Sequence, residues 1–198
     1  MLKARIAVLV SGGGTNLQAL IDSAAAGSLP SGQLSLVIAD KAGVRAIERA
    51  NCAGIPCQVI VRKEAGFEEK VLTALREHDI DMIVLAGFLG ILSADFIKAF
   101  RGPIINIHPA LIPSFCGKGM YGLRVHQAAL DYGVKLTGAT VHYVNEIPDG
   151  GEIILQKAVE ILPGDTAEIL QRRVMEQAEW KLLPRAAELV SAEIAAGR

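Results

Sequence analysis

Three short segments of the chain bring together residue types that can do chemistry. The first is Asn106-Ile107-His108-Pro109. If it ends a strand, alternation puts Asn106 and His108 on one side of a sheet, an amide donor beside a titratable imidazole. An amide NH2 can hold a developing oxyanion, and a histidine can give or take a proton near neutral pH, so the pair suits acyl transfer. A lone histidine at a strand end is ordinarily a hydrogen-bonded structural residue, and it is the neighbouring asparagine and the loop that follows that favour chemistry here.

The second segment, Ser11-Gly12-Gly13-Gly14-Thr15-Asn16, lies between an apolar run and a helical pattern. Glycines admit close approach of a ligand, and the N–H groups opening a helix make an anion site reinforced by the dipole. Leu17 stands where a dinucleotide motif needs its third glycine, and no Lys-Ser/Thr follows for a P-loop. A phosphate monoester fits, with Thr15 and Asn16 as side-chain donors. The alternative is a tight turn capped by Thr15 or Asn16. The third segment is Asp149-Gly150-Gly151. Aspartate is a common turn former, and Asp149 matters only if its hairpin folds back over the strand of His108, where a carboxylate would raise the imidazole pKa and orient the ring.

The elements that must position these segments follow a βαβ rhythm. Strands are expected at residues 5–10, 34–39, 57–61, 82–86 and 103–107, and helices at 16–25, 45–53, 67–78 and 93–100. Parallel strands with helical crossovers predict a doubly wound, Rossmann-like, mostly parallel sheet with helices on both faces. After His108 a loop rich in Pro and Gly precedes a helix at 125–131. Strands at 136–144 and 152–159 flank Pro148-Asp149-Gly150-Gly151 and predict an antiparallel hairpin extending the sheet. A long helix over 165–196 closes the chain, with an interruption expected near Pro184.

The 198 residues, 51% of them hydrophobic, suit a single domain spanning 1–198, with a βαβ half at 1–108 and a site-completing half at 109–198. With 20 Lys+Arg against 21 Asp+Glu, the balance argues against a polyanion binder or a basic membrane patch. No nucleic-acid or membrane partner is expected. The three cysteines, Cys52, Cys57 and Cys116, have no metal-type spacing and read as free thiols in the cytoplasm. The start, Met1-Leu2-Lys3, carries no secretory leader pattern. His126 and His142 with Cys116 match no zinc signature and are assigned structural roles, His78 is read as a helix-end residue, and Trp180 as a core contact.

The chain resembles the phosphoribosylglycinamide formyltransferases. The resemblance covers nearly its whole length and rests on residues 11–16, on Ala86-Gly87-Phe88 with Ile91-Leu92-Ser93, on residues 106–109 with Pro113, and on 138–144 leading to Asp149-Gly150-Gly151. It implies transfer of a formyl group from 10-formyltetrahydrofolate, as co-substrate and without a metal, to the amine of glycinamide ribonucleotide in purine biosynthesis. By the same resemblance Asn106 steadies the oxyanion, His108 is the proton donor, and Asp149 raises the pKa of His108. Gly14, Thr15 and Asn16 hold the substrate phosphate, and Glu179 helps place the ribonucleotide. Leu89, Gly90, Ile91 and Leu92 would line the folate pocket with Asn106. The backbone of Asn145, Glu146, Ile147, Pro148 and Asp149 would complete it, and Lys63 would meet the folate glutamate. A monomer or homodimer is expected.

The chain also departs from that family. Many members carry arginine where it has Gly90, some have arginine at Lys63, the loop at 115–122 is longer than a common form, and the spacing to Glu179 is one residue longer. A 10-formyltetrahydrofolate hydrolase would be expected to carry a domain ahead of the Gly-rich strand, and a methionyl-tRNA formyltransferase a further RNA-binding domain. A non-catalytic nucleotide-binding module of this fold would have no use for the Asn106/His108 pair.

Overall fold

The computed structural model describes residues 3–197; Met1 and Leu2, part of the start read above as lacking a leader, and Arg198 lie outside the described residues. The βαβ half comprises β1 (Ala4–Val10), α1 (Thr15–Ala25), β2 (Gly32–Ala39), α2 (Arg45–Cys52), β3 (Cys57–Val59), α3 (Phe67–Glu77), β4 (Met82–Leu85), α4 (Ala94–Ala99) and β5 (Ile104–His108). The remainder is α5 (Leu123–Tyr132), β6 (Leu136–Tyr143), β7 (Ile153–Glu160), α6 (Ala167–Val174), a π-helical turn (Met175–Glu179) and α7 (Trp180–Ala196). The seven strands lie in the order β3-β2-β1-β4-β5-β6-β7. Strands β3 to β5 run parallel, and β6 and β7 join antiparallel.

Alternation along β1 shows why the sheet needs helices on both faces. Ile6, Val8 and Val10 point into one core with Leu17 and Leu20 of α1 and Leu183 and Val190 of α7. Ala7 and Leu9 point into the other, with Val71 and Leu75 of α3 and Phe96 of α4. Strand order reverses between β1 and β4, and such a switch point opens a crevice beyond the carboxyl ends of the strands. The loop after β1, the segment after β4 and the end of β5 all emerge there.

The C-terminal helix differs from expectation. Pro184 lies inside α7, and the break falls upstream, at the five-residue π turn Met175–Glu179. Proline has no N–H to offer the carbonyl of Trp180, but the wide turn just before has already shifted the hydrogen-bond ladder, so the irregularity is taken up there. Trp180, expected in the core, is half-buried. Among the described residues no helix is long and apolar enough to cross a membrane.

Candidate active site

A cleft of about 540 Å³ opens at the switch point, lined by the Gly-rich loop, the segment after β4, the end of β5, and the β6–β7 turn. Gly14 is the N-cap of α1 in the left-handed region, φ 68° and ψ 32°, with no side-chain cap. A Cβ there would stand 2.8 Å from Cβ of Ala46, so glycine both makes the turn and lets α2 approach. Thr15 and Asn16 therefore do not cap the helix, and both line the cleft. The first amides of α1 have no intrahelical acceptor. Ser11 ties this loop to the next, its N–H donating to the Gly87 carbonyl (3.3 Å) and its Oγ accepting from the Leu89 N–H (2.9 Å).

Asp149 sits between two imidazoles. Its Oδ2 lies 3.5 Å from Nδ1 of His108 and accepts the Gly117 N–H at 2.8 Å. Its Oδ1 lies 3.5 Å from Nε2 of His142 and accepts from Nδ2 of Asn106 at 3.4 Å. Asp149 has φ 56°, a conformation aspartate tolerates better than most residues, and Asn145 braces the turn by accepting the Ile147 N–H and donating to the Gly150 carbonyl. The hairpin does fold back over β5, which was the condition on which Asp149 depended.

His142, assigned a structural role from sequence, belongs to this cluster. It faces Asn106 directly across the β5–β6 ladder. Its Nδ1 is 2.7 Å from the Tyr143 carbonyl, which makes Nδ1 the protonated nitrogen, and Nε2 then accepts from Nδ2 of Asn106 at 3.2 Å. His142 thus fixes which way the Asn106 amide points. Only the β5–β6 register reveals the pairing, and sequence spacing carries no sign of it.

Burial holds the His108 pKa below its ordinary value; the Asp149 charge and the Phe115 carbonyl push upward, His142 pushes down, and the net direction is down. The expected rise is therefore corrected: Asp149 acts in that direction, but desolvation of a side chain only 5% exposed outweighs it. Burial pushes the Asp149 carboxyl up, yet the neighbouring His142 and His108 and the Gly117 amide together bring it below the usual aspartate value. His108 Nε2 lies 2.9 Å from the Phe115 carbonyl.

On the other side of the cleft, Asn16 Nδ2 donates to Glu179 Oε2 at 2.7 Å, and Asn16 Oδ1 is buried without a partner. The π turn brings Glu179 inward, and burial raises its carboxyl pKa, with Asn16 opposing. His126 lines the cleft fully buried, with neither ring nitrogen partnered, and burial followed by the charge of His108 lowers its pKa to about 4.

The segments at 89–92 and 145–149 line the cleft as expected. Lys63 does not; it is exposed, outside the lining residues. Its neighbour Arg62 passes the Gly90 edge instead, Cδ lying 3.1 Å from where a Gly90 Cβ would stand and Nε 3.6 Å from the buried Asp40 carboxylate. No cluster of three or more metal-ligating side chains occurs among the described residues.

This geometry has close relatives. The chain matches the formyl transferase family over residues 4–187. The Haemophilus influenzae phosphoribosylglycinamide formyltransferase is 40% identical over 184 residues, 91% of this chain and 84% of that protein. The human trifunctional purine biosynthetic protein adenosine-3 is 46% identical over 193 residues, 96% of this chain, which spans only 18% of that longer protein. Among solved structures, the phosphoribosylglycinamide formyltransferase of Brucella melitensis superposes with a TM-score of 0.87 at 42% identity, covering 96% of each chain.

Proposed function

This chain belongs to the formyl transferase family, and on that premise we propose that it transfers the formyl group of 10-formyltetrahydrofolate to the amine of glycinamide ribonucleotide, in the cytoplasm, as a step of purine biosynthesis. The observation that carries the reading is Asp149 held between His108 and His142, with Asn106 bonded to both Asp149 and His142. Such a cluster can hold a new negative charge and pass a proton within one cleft.

In the reaction the amine nitrogen bonds to the formyl carbon and the carbonyl π pair moves to oxygen. The N10–carbon bond then breaks with its pair left on N10. One proton must leave the attacking nitrogen and one must reach N10. His108, its pKa held down by burial, rests as neutral imidazole; in the tautomer that carries its proton on Nδ1, toward Asp149, Nε2 is released from the Phe115 carbonyl, takes the first proton and returns it to the leaving nitrogen. Asp149 stabilises the imidazolium between these events. Asn106 exchanges its long 3.4 Å bond to Asp149 for one to the oxyanion, while His142 keeps the amide oriented.

Gly14, Thr15 and Asn16 bind the ribonucleotide phosphate, and Glu179 takes a ribose hydroxyl. Leu89, Gly90, Ile91 and Leu92 with the backbone at 145–149 take the pteridine. Lys63, with Arg62 beside it at the Gly90 edge, meets the glutamate carboxylates of the folate. Tetrahydrofolate release from 10-formyltetrahydrofolate, followed by absorbance with and without glycinamide ribonucleotide, tests the reading. Release that requires the ribonucleotide supports the transferase, release without it points to a hydrolase, and none in either case to a binding module.

A further inference from the structure

The two groups on which proton transfer depends are both engaged by one short segment of the loop after β5. The Phe115 carbonyl lies 2.9 Å from Nε2 of His108, and the Gly117 N–H donates to Oδ2 of Asp149 at 2.8 Å. A carbonyl oxygen only accepts, so a neutral His108 in this contact carries its proton on Nε2. Nδ1 is then unprotonated, in keeping with its longer separation of 3.5 Å from Asp149 Oδ2. In this tautomer His108 offers the cleft no base: the nitrogen that must take a proton already holds one and is bonded to the loop.

The backbone of the segment is unusual. Phe115 has φ 51°, the left-handed region that a bulky residue rarely adopts, and its ring packs edge-on against Tyr132 of α5, with centroids 6.0 Å apart. Gly117 and Gly119 both have φ 89°, and a Cβ at either would meet nothing within 4 Å, so conformation and not packing calls for glycine there. Residues 117–122 line the cleft, so an occupant bears directly on the segment. We propose that residues 115–117 are a latch that sets acceptor specificity: until the ribonucleotide displaces them, they hold His108 in the Nε2–H tautomer and deny water a base. The role rests on the formyl transfer proposed above. With the latch open and no ribonucleotide present, water adds to the formyl carbon, the N10–carbon bond breaks, and one water proton passes through His108 to N10. Formic acid, which ionises to formate, leaves with tetrahydrofolate. When the ribonucleotide moves the segment, the His108 proton shifts to Nδ1, toward Asp149, and the free Nε2 serves the amine instead.

Two variants loosen the latch without altering His108, Asn106 or Asp149. Phe115→Val removes the ring and puts a β-branched residue where φ is positive, and Tyr132→Ala removes, from a position 80% exposed, the ring on which Phe115 packs. Formate released from 10-formyltetrahydrofolate without glycinamide ribonucleotide should rise about tenfold over the parent in Phe115→Val. In Tyr132→Ala it should rise about two- to tenfold, the range that one edge-on aromatic pair is worth. Both variants should still formylate the ribonucleotide. Nitrogen NMR of isotopically labelled histidines in the free parent should show His108, assigned by its loss in His108→Gln, as the Nε2–H tautomer, and saturating glycinamide ribonucleotide should convert it to Nδ1–H. The Nδ1–H form in the free parent overturns the latch, and so does formate release in Tyr132→Ala no greater than in the parent. A parent that makes no formylated ribonucleotide refutes the transferase reading, a failure distinct from that of the latch, which the tautomer of free His108 decides.

Discussion

Replacing Asp149 by Asn keeps the size of the side chain and, because asparagine also tolerates a φ of 56°, keeps the turn. One amide oxygen can still accept the Gly117 N–H. What is lost is a negative charge 3.5 Å from Nδ1 of His108. At an effective dielectric of about 20 that charge stabilises an imidazolium by about 5 kcal/mol, and the retained amide dipole recovers part of it. A net loss of about 3–5 kcal/mol in the transition state corresponds to a fall in kcat on the order of 10²–10⁴. KM for both substrates should stay within about threefold, because Asp149 acts on the proton carrier and not on the bound ground state. Since Asp149 favours protonated His108, its removal also lowers the His108 pKa further. Steady-state tetrahydrofolate release measured across pH, with thermal unfolding as the control for fold, reads all three quantities. A variant that folds normally and keeps kcat within threefold of the parent would refute the reasoning.

Other expectations follow from the same geometry. In the parent, kcat/KM should fall as pH drops through a midpoint below the ordinary imidazole value of 6.5, because protonation removes the base; a pH–rate profile checks this, and an acid limb above that value contradicts it. His142→Leu removes the acceptor that orients Asn106 and should cut kcat about tenfold with little change in KM, as measured by initial rates. Glu179→Gln should raise KM for the ribonucleotide and leave kcat nearly unchanged. His126 is held neutral in the fold with its pKa at about 4, so protonation favours the unfolded chain; stability should begin to fall below pH 6.5 and the loss be complete below about pH 4, at a cost of roughly 3 kcal/mol. Urea unfolding of His126→Leu across that window should show a shallower pH dependence than the parent.

Much of this fold is legible because its signals are local. The buried strands β1, β2 and β4 carry the apolar runs 6–10, 36–39 and 82–85, and each amphipathic helix between them repeats its own period, so the βαβ half could be read segment by segment. The hairpin announced itself through Pro148-Asp149-Gly150-Gly151. What could not be read depends on contacts distant in sequence. His142 joins Asn106 only through the register of β5 against β6, and Glu179 reaches Asn16 across 163 residues by way of a π turn that no residue pattern marks. The direction of the His108 shift turned on burial, while the sequence offered only its charged neighbour. The cation at the Gly90 edge is Arg62 because of the path its side chain takes past Phe88 and Gly90, which spacing does not encode.

The central claim, that one cleft moves a formyl group from folate to a ribonucleotide amine, is tested most directly by following the group itself. With 10-formyltetrahydrofolate carrying an isotopic label in the formyl carbon, a single turnover in the presence of glycinamide ribonucleotide should place the label in formylglycinamide ribonucleotide, and His108→Ala should leave it on the folate. Label recovered as formate, or transfer undiminished in the variant, would contradict the account.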